Sequence, residues 1–137
     1  MKQVEKYAQS IKKIQENGIV AFGAFVIGFK NDDLTVFDEI RDFTIENNMP
    51  GQFTLATPIP GSRLYKSLDE EGKLFNTVFW NQCNFYNLVF RHEKISRDQA
   101  QDSLIKLYET VFNDENTLKR LMHMKNMYKK LPPRWTK

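Results

Sequence analysis

Two adjacent carboxylates, Asp32 and Asp33, are the first residues in this sequence whose types and spacing could do chemistry. Neighbouring carboxylates can divide general acid and base work when their environments separate their pKa values. These two stand immediately before a predicted helix, where a carboxylate can accept hydrogen bonds from free amides and favours the positive end of the helix dipole. We therefore interpret both as helix caps rather than as a catalytic pair.

The other candidate nucleophiles and ligands are isolated in the sequence. His92 stands in a polar segment, His123 lies among methionines of the last predicted helix, and Cys83 has no base partner nearby. We interpret all three as structural or merely exposed. The sequence contains no glycine-rich phosphate loop, HExxH pair, nucleophile elbow or cysteine pair.

The most informative short motif is Pro58-Ile59-Pro60-Gly61-Ser62. Its prolines restrict the backbone, and Gly61 permits a tight approach, so the motif predicts a rigid turn between a strand and a helix. The same rigidity could shape the rim of a pocket, with Pro58, Pro60 and Gly61 as its substrate-rim residues. These two interpretations are compatible.

A strand, a helix and a second strand would position this motif. The run from Ile19 to Phe29 is apolar and β-branched, which predicts a strand buried on both faces. A helix over residues 34–48 and a strand from Gln52 to Thr57 follow, and the short connections predict a parallel βαβ unit. Chemistry is expected beyond the carboxyl ends of its strands, at residues 28–33 and 57–62.

The elements around this unit are helical and incomplete. Residues 2–17 predict an amphipathic helix that has no strand before it. Two parallel strands cannot bury both faces of an apolar strand, so we expect further strands from an upstream part of the same protein or from a partner subunit. A short helix from Arg63 to Glu71 and an aromatic-rich segment lead to a helical hairpin, which begins with the capping-box pattern Ser96 to Gln99.

Composition excludes several classes of protein. With 137 residues, 41% of them hydrophobic and 27% charged, the chain is typical of one modest soluble domain. Its single cysteine excludes an intrachain disulfide and a metal cluster built from its own thiolates, and fits a cytoplasmic setting. No run approaches the roughly 20 apolar residues of a membrane span. The basic segment 119–137 predicts a solvated helix face rather than a nucleic-acid site, because base-stacking motifs are absent.

Several of these segments together resemble the C-terminal part of a radical S-adenosylmethionine enzyme, of the group that often carries a cobalamin-binding domain. Residues 25–33 resemble its strand that ends in apolar-Ile-Gly-Phe before an acidic helix start. Residues 58–65 are similar to its Pro-x-Pro-Gly-Thr/Ser turn before Leu-Tyr, and residues 71–74 to its Glu-Gly-Arg-Leu/Ile. Three tail segments resemble the hopanoid-methylase-like subset: Asn84-Phe85, Leu107 to Glu109 and Leu118 to Arg120.

The resemblance implies an α/β fold, namely the C-terminal portion of a partial (β/α)6, TIM-like barrel followed by a small helical extension. Residues 1–75 would be barrel, 76–95 an irregular aromatic-rich connection, 96–131 the helical extension and 132–137 a tail. The family's Gly-x-Ile-x-Gly-x-x-Glu strand lies near the adenine of S-adenosylmethionine. Its positions correspond to Ala24, Val26, Gly28 and Asn31, of which only Gly28 matches the pattern.

By this resemblance, Val26, Gly28, Leu55 and Ala56 are the expected adenine contacts. The family's CxxxCxxC motif, which holds a 4Fe-4S cluster and leaves one iron open to the cofactor, is not in this sequence. The intact parent would use S-adenosylmethionine, the cluster and, in some members, cobalamin. The chain alone is expected to hold no cofactor tightly and to be catalytically silent. Two alternatives stay open: one subunit of a split radical enzyme, and a stand-alone α/β module that binds protein or RNA.

Overall fold

Helices surround a small parallel sheet in the computed structural model, which describes residues 2–75 and 79–129. The described elements, in chain order, are α1 (Lys2–Glu16), β1 (Gly23–Ile27), α2 (Thr35–Glu46), β2 (Gly51–Leu55), α3 (Arg63–Glu70), α4 (Phe79–Gln82), α5 (Arg97–Val111) and α6 (Asp114–Lys129). The predicted α/β class is confirmed. None of the described helices combines the length and the apolar character needed to cross a bilayer.

The strands β1 and β2 pair in parallel, with Gly23 opposite Gly51 and Ile27 opposite Leu55. This confirms the predicted βαβ unit. The observed β1 is shorter than the predicted run from Ile19 to Phe29, because only five of its residues lie opposite β2. A barrel stays a prediction, since the described residues form a two-stranded sheet.

One face of the sheet carries the core. Ile27, Phe53 and Leu55 are buried there at 0%, 0% and 1% exposure, and they share a cluster with residues of α2 and α5. The opposite face is open, and Val26 is 48% exposed. The prediction that β1 is buried on both faces is therefore wrong for this structure. The physical reason is that α2 and α5 both cover one side of the strands.

The helix α5 belongs to that same core. Ala100, Leu104, Leu107 and Val111 recur at spacings of three and four, and all four are buried in the cluster that contains the strands. The predicted capping box is confirmed: Ser96 Oγ accepts from the Gln99 amide at 3.2 Å, and Gln99 Oε1 accepts from the Ser96 amide at 2.9 Å. The predicted helical extension thus begins with a helix that packs on the sheet, while the boundaries of the predicted parts remain a prediction.

Candidate functional site at the carboxyl ends of the strands

The loop that follows β1 is closed by Asp32. Gly28 is buried and has φ +101°, a conformation that side chains rarely adopt, so glycine is required for the turn. Asp32 Oδ2 accepts from the amides of Gly28 at 2.9 Å and Phe29 at 3.0 Å, and the Asp32 amide donates to the Phe29 carbonyl at 2.9 Å. Asp32 therefore ties back to the strand rather than capping α2, which corrects the predicted role.

Asp33 bonds to the first residue of α2. Its Oδ1 accepts from the Thr35 amide at 3.0 Å and from the Thr35 hydroxyl at 2.6 Å. The Thr35 hydroxyl and then the Thr35 amide hold the pKa of Asp33 below its ordinary value. The capping interpretation is confirmed in part: Asp33 satisfies the first amide of α2, although the N-cap position itself is Leu34. The two neighbouring carboxylates have separate structural roles.

His92 braces the same loop from the far side of the sequence. Its Nδ1 accepts from the amides of Lys94 and Ile95, each at 3.2 Å, so the proton belongs on Nε2. That Nε2 donates to the Phe29 carbonyl at 2.9 Å, and Lys94 Nζ donates to the Asn31 carbonyl at 2.9 Å. The structural interpretation of His92 is confirmed. Its partner Phe29 lies 63 residues away in the sequence, and no local pattern indicates that contact.

A small pocket of about 90 Å³ lies beside this loop, between α3 and residues 90–93. At its edge, Lys73 Nζ contacts Glu71 at 2.6 Å and Glu93 at 2.9 Å. Glu71 and then Glu93 raise the pKa of Lys73, and Lys73 lowers the pKa of both carboxyls. Two carboxylates thus surround the Lys73 ammonium group, and Lys30 and Arg91 also line the pocket.

Of the four residues predicted to contact adenine, Val26 lies on the open face of the sheet and the other three are buried. Val26 lies on the open face of β1, opposite Thr54 in the register. Leu55 is in the core on the covered face, so its side chain and that of Val26 lie on opposite sides of the sheet. Ala56 is buried at the end of β2, and its amide donates to the Ile27 carbonyl at 2.7 Å. A Cβ built on Gly28 would lie 3.9 Å from that of Ala56, so these two positions are adjacent.

The proline motif forms a turn at the same end of the sheet. Pro58 is fully buried, whereas Pro60 and Gly61 are exposed, and Gly61 has φ +86°. Ser62 then caps α3, because its hydroxyl accepts from the Tyr65 amide at 3.1 Å. The predicted strand-to-helix turn is confirmed. Of the predicted rim residues, Pro60 and Gly61 reach the surface.

No group of three or more metal-ligating side chains occurs within the described ranges 2–75 and 79–129. Burial raises the pKa of the Cys83 thiol, which disfavours the thiolate that a metal or an electrophile requires. The chain has this one cysteine, and an iron-sulfur cluster needs several thiolates. The residues of this chain therefore do not fit a 4Fe-4S cluster.

Tyr108 occupies a position at the sheet that the sequence did not reveal. Its hydroxyl donates to the Phe53 carbonyl at 2.9 Å and accepts from the Phe53 amide at 3.1 Å, so it closes the outer edge of β2. The Leu55 amide on the same edge donates to the Phe85 carbonyl at 2.7 Å. In the sequence, Tyr108 is one of several apolar positions of a helix, and nothing there separates it from the others.

Comparison with known proteins relates the chain to two enzymes. It is 22% identical over 110 residues to the anaerobic magnesium-protoporphyrin IX monomethyl ester cyclase of Rubrivivax gelatinosus. The aligned region is 80% of this chain and 19% of the cyclase. The chain is 27% identical over 100 residues to an uncharacterized methyltransferase of Pyrococcus horikoshii. That aligned region is 72% of this chain and 22% of the methyltransferase. No family model matches the chain. The chain spans about a fifth of the length of these curated relatives.

Proposed function

We propose that this chain is the C-terminal barrel segment of a radical S-adenosylmethionine protein of the cobalamin-associated group. The observation that carries the proposal is the joint occurrence of two glycine turns, at Gly28 and Gly61, at the carboxyl edge of one parallel βαβ unit. Both belong to the segments that resemble that family. Similarity to a cyclase and to a methyltransferase over about a fifth of their length supports the same assignment.

In this proposal the carboxyl edge binds the adenine of S-adenosylmethionine. Val26 offers an apolar surface on the open face. Gly28 and Ala56 are buried, and a Cβ built on Gly28 would lie 3.5 Å from Leu88 Cδ1, so adenine would contact these two residues only after Leu88 moves aside. Leu55 supports this surface from the core by packing, because its side chain is buried, its amide donates to the Phe85 carbonyl and its carbonyl accepts from the Thr57 hydroxyl. Pro60 and Gly61 form the rim, with buried Pro58 holding the turn in place.

The electron source of the proposed enzyme lies outside this chain. Because the chain has one cysteine, the cluster and any cobalamin would belong to an upstream part of the protein or to a partner subunit. The chain alone is therefore expected to be catalytically silent. We further propose that its parent performs radical methyl transfer or a related radical reaction.

The first test is to sequence a few hundred bases of DNA upstream of the Met1 codon. The proposal expects a coding sequence for CxxxCxxC there, in frame or frameshifted, or in a neighbouring gene in the case of a split enzyme. The joined or co-expressed protein should then produce 5′-deoxyadenosine from S-adenosylmethionine under reducing conditions. If neither location encodes the motif, the assignment to this family is overturned.

A substitution tests the proposed adenine surface in that active protein. Val26→Asp puts a charge on it and should raise the KM for S-adenosylmethionine by about tenfold or more, since about 1.4 kcal/mol corresponds to a factor of ten. Ile105→Asp is the matched control, because Ile105 is similarly exposed on α5. Equal KM values for the two variants would remove Val26 from the site.

A second candidate is partner binding by a stand-alone module, and the outer face of α6 favours it. Leu118, Leu121, Met122 and Tyr128 are all exposed there and recur at helical spacing beside three lysines. A stand-alone module should be a monomer that unfolds cooperatively, whereas a barrel segment should self-associate through its open strand. Sedimentation velocity at several protein concentrations separates the two.

A further inference from the structure

The two edges of the sheet are not equivalent. On the outer edge of β2, the amide and carbonyl of Phe53 both bond to the Tyr108 hydroxyl, and the Leu55 amide bonds to the Phe85 carbonyl. Backbone groups that would otherwise recruit a strand are thereby satisfied within the chain. The sheet cannot be extended past β2 without breaking these bonds.

The outer edge of β1 has the opposite character. Gly23 donates to the Pro50 carbonyl and Ile27 accepts from the Ala56 amide, so Gly23, Phe25 and Ile27 direct their backbone groups toward β2. In a parallel ladder the alternate residues, Ala24 and Val26, then direct their amides and carbonyls outward. In the part of the chain that the structure describes, no strand pairs with this edge.

A groove of about 670 Å³ lies beside that edge. Phe25, Ile40 and Phe43 contribute apolar surface from β1 and α2, and Val4 and Tyr7 contribute apolar surface from α1. The other residues that line the groove are acidic: Glu5, Glu39, Asp42 and Glu46. An occupant that suits it has large apolar side chains on one face and no carboxylates of its own.

Topology identifies where such an occupant connects. The groove has walls from both α1 and α2 and includes Phe25, whose ring contacts Phe43, so both helices lie on the same side of the sheet. Parallel crossovers are right-handed in about 98% of cases, and two right-handed crossovers on one side of a sheet advance in one direction. A strand before α1 would therefore lie alongside β1, on the edge away from β2.

We propose that the edge of β1 is a docking site for one parallel strand, supplied by polypeptide directly upstream of α1 in a longer protein. Alternate apolar side chains of that strand fill the groove beneath α1, and its backbone bonds to the outward groups of Ala24 and Val26. The docking site accepts a strand at β1 alone, because Tyr108 and Phe85 close the other edge. The inference rests on the proposed function only for the source of the strand.

The test extends the full chain at its N-terminus by a designed strand. Five residues alternating Val and Thr, followed by a four-residue turn, are fused before Lys2, and amide hydrogen exchange is followed by NMR. We expect the amides of Ala24 and Val26 to exchange about a hundredfold more slowly than in the unextended chain, since pairing removes them from water. The matched control carries Asp at the Val positions and should leave both rates unchanged.

Three results would overturn the inference. The first is unchanged exchange at Ala24 and Val26 in an extended chain whose core amides stay protected. The second is slower exchange at these two amides with the control extension as well. The third is protection of the two amides in the extended chain that disappears on dilution, because a second copy, and not the fused strand, would then be the occupant. None of these exchange measurements depends on S-adenosylmethionine. They can therefore fail or succeed independently of the search for an upstream CxxxCxxC coding sequence.

Discussion

The edges of this two-stranded sheet show two ways in which a parallel strand can end. At β2 a tyrosine hydroxyl from α5 bonds to both backbone groups of Phe53 and takes the place of a neighbouring strand. At β1 the corresponding groups of Ala24 and Val26 point outward beside an apolar groove. One edge of the sheet is therefore closed by groups of the chain itself, whereas the other edge is unpaired in the part of the chain that the structure describes.

The largest expected effect contrasts the covered and open faces of the sheet. Phe53→Ala should lower the free energy of unfolding by about 3–5 kcal/mol, because Phe53 is fully buried among Phe25, Tyr108 and Phe112. Val26→Ala, on the open face, should change it by about 0.5 kcal/mol or less. Urea unfolding measures both, and Phe53→Leu provides a milder variant if Phe53→Ala does not fold. Similar losses at both positions would contradict the two-faced description.

The next effect concerns the closed edge itself. Tyr108→Phe keeps the ring beside Phe53 but removes both hydrogen bonds, so we expect a loss of about 1–2 kcal/mol and faster exchange of the Phe53 amide. Hydrogen exchange and urea unfolding measure these changes. Tyr128→Phe is the control, because that side chain is exposed on α6. Unchanged exchange at Phe53 would show that the hydroxyl does not close the edge.

The position of Tyr108 depends on where α5 begins. Ser96→Ala removes the side-chain acceptor of the capping box and should cost about 1 kcal/mol in thermal or urea unfolding. Ser10→Ala, in the exposed face of α1, should cost less, since its hydroxyl only donates to the carbonyl of the preceding turn. If both substitutions lower the free energy of unfolding equally, the Ser96 cap does not stabilise α5 more than an ordinary exposed hydroxyl stabilises its helix.

The smallest effect is a pH dependence of the closed edge. Burial raises the pKa of Tyr108 above its ordinary value of about 10. The stability that the neutral hydroxyl contributes is therefore fully present below about pH 10 and is lost as the pH rises through the higher folded-state pKa. The urea midpoint of the native chain should fall toward that of Tyr108→Phe above pH 10. A constant difference between the two chains up to pH 11.5 would contradict this.

Much of the fold followed from local patterns in the sequence. The βαβ unit, the helix caps at Ser62 and Ser96, and the proline turn are determined by neighbouring residues and were predicted correctly. The role of Asp32 was predicted wrongly, because its choice between the Gly28 amide and the helix start depends on the path of the loop. The adenine-binding role of Val26 stays a prediction.

Sequence by itself determined which segments form strands and helices, where glycine is required, and that this chain cannot hold a cluster with one cysteine. Only the tertiary structure decided which edge of the sheet is closed and which residues support the loop after β1. Tyr108 reaches Phe53 across 55 residues, and His92 reaches Phe29 across 63. Such contacts depend on the packing of distant elements, and hydrophobic periodicity within one element carries no information about them.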